Sequence, residues 1–336
     1  MTFRMPAEWE KQAAVWLAWP HNRNDWPGKF DAIKWAYADI IGYLTRELRV
    51  RLVVKNASEQ EKARVVLETA NVDLGKVDFI IAVTNRSWLR DSAPTFVYEG
   101  KKRVLLDWRF NAWAKYDNWR NDDKIPSIVG DFLKLPCVQP MHKGKRVVME
   151  GGALEVNGKG LLLTTEECLL SDIQCRNPGF TREDYEQVFA KYMGISNAIW
   201  LGNGIAGDDT HGHIDDLARF VNADTVVTVM EKDKNDPNHT PLKDNAKRLK
   251  KAGLNVIELP MPRKIMFEDY RLPASYANFI IANGIVLMPT FNDPNDRVAL
   301  NILAEAFPKH DVIGIHCGDF ILGLGTIHCA SQQEIV

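Results

Sequence analysis

The chain has 336 residues, of which 46% are hydrophobic and 26% are charged, with a formal net charge of −2. Such a composition is typical of a globular protein with a large core, and one large domain or two smaller ones would fit this length. The absence of a basic excess argues against binding to nucleic acid or to an anionic membrane. We therefore expect a small-molecule partner.

Two features bear on where the protein works. No run of about 18 consecutive apolar residues occurs, and residues 1–12 are polar and charged, so neither a membrane span nor a secretion signal is predicted. The five cysteines contain no CxxC pair, which argues against a disulfide framework and a cysteine-based zinc site. We expect reduced thiols and a cytoplasmic location, and a homo-oligomer is compatible with these features.

Short β-rich runs alternate with charged helical stretches along the chain, which predicts an α/β fold. Helices are predicted at residues 27–47, 59–69, 182–193, 243–251 and 297–306. Strands are predicted at residues 50–54, 79–83, 95–98, 104–107, 161–165, 225–230, 256–259 and 312–317. Hairpins are predicted at Glu99-Gly100, Asn157-Gly158 and Asn283-Gly284, since Asn-Gly suits a tight turn. This mixture of hairpins and helical crossovers differs from the strict alternation of strands and helices in a doubly wound parallel sheet.

The densest polar cluster spans residues 202–216 and contains His211, His213 and Asp215. If this stretch were strand-like, alternate side chains would share a face and these three would converge. Three interpretations stay open. The cluster could be a metal site, an acid/base pair of His213 and Asp215, or a polar loop with satisfied hydrogen bonds.

Near the carboxyl end, Gly323 and Gly325 let the backbone bend before Cys329, a suitable place for a reactive thiol. The alternative is a buried, inert cysteine, which is the more frequent state of an unpaired cysteine. Cys317 follows an apolar strand and is predicted to belong to the core. His328 is a poor base for Cys329, because adjacent residues of an extended chain project to opposite faces. His213 is the better partner, since catalytic Cys and His residues are usually distant in sequence.

Two further segments supply carboxylates beside unusual backbone. Asp91 lies in the Trp-x-x-Asp-Ser-x-Pro sequence of residues 88–94, and Glu150 precedes two glycines. Each acid also has a structural interpretation, a turn or cap for Asp91 and a solvated acid before a glycine bend for Glu150. Neither segment indicates a function by itself.

The motifs occur in the order Trp-x-x-Asp-Ser-x-Pro, Glu-Gly-Gly, Gly-His-Ile-Asp and Gly-x-Gly-x-Ile-His-Cys. This order resembles the agmatine deiminase and bacterial (Porphyromonas-type) peptidylarginine deiminase family. Further similarity at residues 8–10, 19–21, 107–113 and 276–279 extends it over nearly the whole chain. The resemblance implies a pentein fold, a five-bladed α/β propeller of ββαβ units around a central active-site channel. It also implies one catalytic domain over residues 1–336.

The same resemblance implies roles for individual residues. Cys329 corresponds to the nucleophile, His213 to the general acid/base, and Asp91 and Asp215 to the carboxylates that hold a guanidinium group. The residues implied in substrate binding are Glu150, Trp88, Trp113 and Asn278. The implied reaction is hydrolysis of agmatine to N-carbamoylputrescine and ammonia through a covalent cysteine thiouronium, with no metal or cofactor. Carboxylates suit this substrate because a guanidinium presents paired N–H donors.

Four positions depart from the agmatine deiminase pattern. Leu324 and Ala114 stand where glycine is usual, Thr326 replaces an asparagine, and His211 stands where Asp or Asn is frequent. These departures leave peptidyl-arginine and free arginine as alternative substrates. An amidinotransferase of the same fold also stays open. Outside this class, the alternatives are a metal-dependent hydrolase using His211, His213 and Asp215, and a protein that binds guanidinium without turnover.

Overall fold

The computed structural model describes residues 3–336, so Met1 and Thr2 of the polar amino-terminal stretch lie outside the described residues. Five separate sheets carry the fold. In each sheet an antiparallel pair of strands is extended by a parallel strand that follows a helical crossover. We call these sheets blades 1 to 5.

The strands of each blade are given in spatial order. Blade 1 consists of Ser331–Ile335, Gln12–Ala18, Arg49–Val54 and Val77–Ile81, and blade 2 of Phe3–Arg4, Thr95–Glu99, Lys102–Leu106 and Cys137–Val138. Blade 3 consists of Glu155–Val156, Leu161–Thr165 and Asn197–Leu201, and blade 4 of Ala218–Phe220, Thr225–Met230 and Asn255–Pro260. Blade 5 consists of Ile280–Ala282, Ile285–Thr290 and Asp311–His316. Two short two-stranded sheets pair Met141–His142 with Lys145–Arg146, and Met266–Phe267 with Tyr270–Arg271.

The crossover helices of blades 1 to 5 are Phe30–Glu47, Ile125–Leu133, Arg182–Met193, His239–Lys251 and Pro294–Ala306. Further α-helices are Ala57–Thr69, Leu89–Ser92, Glu166–Leu170 and Ile327–Ala330. Short 3₁₀ turns occupy Arg23–Asp25, Leu74–Lys76, Ala112–Ala114, Asp122–Lys124, Gly151–Ala153, Ile214–Asp216 and Phe320–Gly323. No helix within residues 3–336 is both long and apolar enough to cross a membrane.

Local signals explain the bounds of the best-defined crossover helix. Thr181 and Asp184 form a reciprocal capping box at the start of Arg182–Met193, and Gly194 ends it with a φ of 70°. The predicted bounds of this helix are confirmed, as are those of the strands at 161–165 and 225–230. The predicted helix at 243–251 begins earlier, at His239, where the first turn contains a proline.

Each blade brings one chemically important residue to the centre of the molecule. The segment before the first strand of blade 3 contains Glu150, and those of blades 4 and 5 contain Asp215 and Asn278. Asp91 precedes the central strand Thr95–Glu99 of blade 2, and Cys329 precedes the carboxyl-terminal strand of blade 1. The five-bladed α/β arrangement predicted from the resemblance is therefore confirmed, and it places these five side chains at equivalent positions.

Candidate active site

A cavity of about 350 Å³ ends at Cys329. Its wall contains the aromatic side chains of Trp88, Trp113, Tyr116 and Tyr270, and the carboxylates of Asp25, Asp91 and Asp209. The remaining lining residues are Asn22, Asn24, Pro27, Arg86, Asn118, Thr210, Leu322, Gly323, Leu324 and Gly325. Aromatic faces and several acids together favour a flat cationic ligand.

The thiol of Cys329 is held by the carboxamide of Asn278. The Nδ2 of Asn278 donates to the Cys329 Sγ at 3.0 Å. Its Oδ1 accepts from the Thr326 hydroxyl at 2.7 Å and from the backbone N–H groups of His328 and Cys329 at 3.1 and 3.3 Å. One buried amide thus fixes the bend before the cysteine and orients the sulfur.

The environment of Cys329 disfavours its thiolate. Burial raises the pKa of the thiol well above its usual value, and the negative charges of Asp215, Asp216 and Asp91 add to this effect. The Asn278 hydrogen bond opposes the rise without overcoming it. The ligand-free protein therefore holds a neutral thiol, and a bound cation would favour the thiolate.

The imidazole of His213 lies between two carboxylates. Its Nδ1 is 3.8 Å from the Asp91 Oδ1, and its Nε2 is 3.7 Å from the Glu150 Oε2. Both ring nitrogens are buried without a hydrogen-bond partner among residues 3–336. Burial alone would lower the His213 pKa, but the charge of Asp91 and contacts with Cys168 and Glu150 raise it well above its usual value. His213 can therefore carry a proton into the site.

The carboxylates beside His213 differ in their protonation. The Asp91 Oδ2 accepts from the Trp113 indole at 2.9 Å and its Oδ1 from the Gly152 N–H at 3.0 Å, yet burial raises the Asp91 pKa to about 6. Burial also opposes ionisation of Glu150, but the charge of Arg176, whose Nε lies 3.2 Å from the Glu150 Oε1, and the neighbouring His213 outweigh it and lower its pKa. Glu150 is thus the more firmly ionised of the two.

Asp215 lies beside the Cys329 thiol. Its Oδ2 lies 2.7 Å from the His328 Nδ1 and 3.6 Å from the Cys329 Sγ. Its Oδ1 is buried without a hydrogen-bond partner in the described part of the chain. Burial disfavours the charge of Asp215, but the hydrogen bond and charge of His328 lower its pKa. An unsatisfied buried carboxylate oxygen is costly, which indicates a place for a ligand N–H.

Two backbone features position these groups. A Cβ at Gly152 would collide with the His213 ring and with Asp91, so the Glu-Gly-Gly motif allows a close approach that other residues would block. The turn Ala112–Ala114 is left-handed throughout, with φ angles of 51°, 58° and 52°. This turn points the Trp113 indole at Asp91, and its strain is of the kind stored at functional sites.

The structure corrects two expectations about the histidines. The stretch around His213 is not a strand, because Ile214–Asp216 forms a 3₁₀ turn and His211 has a φ of 64°. The His211 Nε2 contacts the Ser171 hydroxyl at 3.1 Å, so His211 does not converge with His213 and Asp215. His328 lies in a short helix and not in extended chain, so the strand argument against it was wrong.

The interpretation of Glu150 as a solvated acid was also wrong, because Glu150 is completely buried. Asp91 does lie in a short helical turn, Leu89–Ser92, but its side chain is buried in the site. Cys317 is fully buried in the core, as its apolar strand predicted. Trp88, which was expected at the substrate, lines the cavity together with Cys329.

Sequence reasoning missed several groups that contact the predicted residues. These are His328 beside Asp215, Arg176 and Cys168 beside Glu150 and His213, and Asp216 beside Asn278. Two more groups were missed, Glu8, which contacts His328, and Asp25, which lines the cavity. His328 belongs to the Ile-His-Cys motif and Glu8 to a similar early segment, so both carried a signal. Arg176 carried none, because its partners lie far away in sequence.

Two trios of buried side chains have potential metal-ligand atoms within 4.8 Å of one another in the described residues. They are Glu150, Cys168 and His213, and Asp215, Asp216 and Cys329. Neither contains His211, so the metal site that the sequence left open is not assembled. Both trios consist of groups already placed around the thiol and the imidazole.

Known proteins share this arrangement over nearly the whole chain. Residues 4–334 match the family model of Porphyromonas-type peptidyl-arginine deiminase. The agmatine deiminase of Ectopseudomonas mendocina is 32% identical, with 99% of this chain and 95% of that protein covered. A cysteine-to-serine variant of the C. jejuni agmatine deiminase, solved with substrate bound, has a TM-score of 0.90 at 30% identity, covering 99% and 96% of the two chains. An agmatine deiminase of Enterococcus faecalis has a TM-score of 0.89 at 29% identity, with the same coverage.

The five-bladed α/β fold and these similarities place the protein among the penteins. Within that class, the chain belongs to the Porphyromonas-type peptidyl-arginine deiminase family, and it is similar over nearly its whole length to agmatine deiminases. The family predicted from the four ordered motifs is confirmed.

Proposed function

We propose that this protein is a guanidine deiminase that hydrolyses agmatine to N-carbamoylputrescine and ammonia, with residues 1–336 as one catalytic domain. The observation that carries this proposal is that Cys329 and Asp91 line one cavity, with His213 beside Asp91, Glu150 beside His213, and Asp215 beside Cys329. The names of the similar agmatine deiminases support the same activity.

In the first step, the guanidinium lies between Asp91 and the free Oδ1 of Asp215, which accept its N–H groups. Its charge offsets the repulsion that keeps Cys329 neutral, so the thiol releases its proton to solvent as the cation enters. The thiolate then attacks the guanidinium carbon and forms a tetrahedral adduct. His213 donates its proton to one amino group, which leaves as ammonia, and a thiouronium remains on Cys329.

In the second step, the now neutral His213 acts as a base. It takes one proton from a water molecule that attacks the thiouronium carbon. The carbon–sulfur bond then breaks, the remaining hydroxyl proton passes to the sulfur, and the ureido product leaves with the Cys329 thiol restored. The raised His213 pKa serves both steps, because it supplies an acid for ammonia and then a strong base for water. We propose no cofactor for this sequence.

The charges of the cavity favour a substrate with a second cation. Arg86 is the one basic side chain in the lining, and its guanidinium already donates to the backbone oxygen and side-chain oxygen of Asn118 at 2.5 and 2.6 Å. The Asp25 Oδ2 is a buried oxygen without a partner in residues 3–336. Agmatine offers an ammonium to such an acid, whereas free arginine would bring a carboxylate. The same charges disfavour arginine as substrate.

Ammonia release from agmatine, arginine and a peptidyl-arginine model tests the proposal. We expect agmatine to have the highest kcat/KM, and Cys329→Ala to abolish release. Cys317→Ala is the matched control, since its thiol is buried in the core and should leave most activity. Release of ammonia by Cys329→Ala at the wild-type rate would contradict the mechanism. Transfer of the amidino group to an added amine would instead support the amidinotransferase alternative.

Two further points belong to the proposal. All five cysteines are unpaired, which supports a reducing compartment such as the cytoplasm. A homo-oligomer stays a prediction, which size-exclusion chromatography with light scattering would test.

A further inference from the structure

His328 forms a buried bridge between two carboxylates. Its side chain is 1% exposed; the Nδ1 lies 2.7 Å from the Asp215 Oδ2, and the Nε2 lies 2.9 Å from the Glu8 Oε2. An ionised carboxylate can only accept hydrogen bonds, so each ring nitrogen must donate an N–H. With both carboxylates ionised, the two contacts are satisfied when each ring nitrogen of His328 carries an N–H.

Glu8 is itself held in its ionised form. Its Oε1 accepts from the Ile281 N–H at 2.8 Å, and its Oε2 from the Arg219 Nη2 at 2.7 Å. The Arg90 Nη2 lies 3.8 Å from the Glu8 Oε2. Burial opposes the charge, but Arg219 and His328 outweigh it and lower the Glu8 pKa. Glu8 is thus a fixed anion beside the His328 Nε2.

The charged and titratable groups around this bridge come from several segments. They are Glu8, Arg90, Asp91, Glu155, His213, Asp215, Asp216, Arg219 and Cys329. Asp91, Asp216 and a Cys329 thiolate disfavour a charge on Asp215, whereas His328, His213 and Arg219 favour it. Glu8, His328 and Asp215 all lie behind the cavity wall. Of their three side chains, that of Asp215 contacts the lining residue Cys329, with 3.6 Å between its Oδ2 and the Sγ, so the effect of the bridge on a ligand passes through Asp215.

We propose that Glu8 and His328 are positioning residues that keep Asp215 ionised and orient its free Oδ1 towards the guanidinium. The inference rests on the proposed function for the identity of the ligand. It extends that function by assigning the Ile-His-Cys histidine a role distinct from acid/base chemistry. A protonated Asp215 would offer one acceptor fewer and no charge to the substrate.

Agmatine binding to Cys329→Ala protein, measured by calorimetry across a pH series, tests this proposal without turnover. In the Cys329→Ala/His328→Gln double variant, Asp215 loses its charged partner, and its pKa should rise. We expect the pH at which binding is half lost on acidification to move up by about one unit or more, with affinity at pH 7 about tenfold lower. Glu8→Gln in the same background should shift this pH in the same direction.

Glu334→Gln is the matched control. Glu334 is 2% exposed, is hydrogen-bonded to Trp16 and Arg51, and lies away from the cavity. Its replacement should reduce stability without moving the acid limb, which is the pH range in which agmatine binding is lost on acidification. A folded His328→Gln double variant with an unmoved acid limb would overturn the proposal and leave His328 a purely structural role. If that variant does not fold, ¹⁵N NMR of the Cys329→Ala protein decides. We expect protons on both His328 nitrogens at pH 7, and a neutral ring would also overturn the proposal.

The two proposals fail in different ways. Absence of ammonia release from wild-type enzyme with agmatine would remove the proposed function. An acid limb that still moves with His328→Gln would then show that the bridge controls Asp215 regardless of turnover. Normal ammonia release by the wild-type enzyme, together with an unmoved acid limb in the His328→Gln variant, would overturn the proposed role of Glu8 and His328 and leave the proposed function intact.

Discussion

Asp25 shows how a single side chain can select the substrate. The Asn22 Nδ2 donates to its Oδ1 at 2.7 Å, which orients the carboxylate and leaves the buried Oδ2 free. Burial raises the Asp25 pKa to about 6 against the opposing charge of Arg86, as expected for an acid that awaits a cation. At neutral pH it is ionised and can pair with an ammonium group.

We predict that Asp25→Asn raises the KM for agmatine about tenfold and leaves kcat nearly unchanged, because an ion pair with the distal ammonium is lost while the groups around Cys329 stay in place. Steady-state ammonia release measures both constants. Butylguanidine, which lacks the distal amine, is the matched control and should respond little. An equal loss for both compounds would show that Asp25 does not read the distal end.

The side chains expected at the reaction centre were identified by short motifs, because each has an unusual local sequence. Glu8 and His328 could not be paired in this way, since 320 residues separate them. Asp25 lies in a turn whose sequence gives no sign of its unpaired oxygen. Contacts across the molecule, and not local patterns, determine which polar groups are satisfied and which await a ligand.

Among the elements, the left-handed turn Ala112–Ala114 stores strain that a sequence pattern does not reveal. We predict that Ala114→Gly raises the free energy of unfolding by up to about 1 kcal/mol, because glycine adopts its φ of 52° without a Cβ clash. Urea denaturation measures the change. Ala114→Val should have the opposite effect, since a β-branched side chain is strongly disfavoured there. A stabilised valine variant would contradict this account of the turn.

The longer helices and the hairpins agree with the predictions from their local sequence, whereas the shortest helical turns do not. Hairpins at Asn157-Gly158 and Asn283-Gly284 were predicted because the turn residues are distinctive, and the capped helix Arg182–Met193 was predicted to the residue. The turns Ile214–Asp216 and Ile327–Ala330 are too short to show a helical period. Treating them as extended chain caused the errors about His211 and His328.

At the scale of the whole molecule, the two ends of the chain share a sheet. The strand Ser331–Ile335 pairs with Gln12–Ala18 in blade 1, which closes the ring and brings Cys329 to the centre. The sequence shows no internal repeat, so the fivefold arrangement could be expected only from the resemblance. The five blades share an order of strands and helices but not a sequence, because different residues can satisfy the same packing requirement.

The buried acids of the site predict an unusual pH dependence of stability. Burial raises the pKa of Asp25 and Asp91 to about 6 and of Asp122 to about 7, above their unfolded values near 3.9. Folding therefore favours their protonated forms, and stability falls as pH rises through this range. His213, with its raised pKa, contributes stability that is likewise lost at higher pH, whereas the lowered pKa of His310 opposes the trend.

We expect the melting temperature of the ligand-free protein to fall by a few degrees between about pH 5.5 and pH 8. Differential scanning calorimetry measures this slope. Asp122→Asn should make it shallower, since an amide oxygen can still accept from the backbone N–H groups of Asn85 and Arg86. A melting temperature that rises with pH across this window would contradict the pKa assignments.

The central claim is that the Cys329 thiolate attacks the guanidinium carbon of agmatine. Acid quenching of the enzyme during turnover, followed by peptide mass mapping, tests it most directly. We predict an adduct with the mass of agmatine less ammonia on the peptide that contains Cys329, and none on the peptides that contain Cys168 or Cys317. Full turnover by a Cys329→Ala variant, or an adduct confined to another cysteine, would contradict the claim.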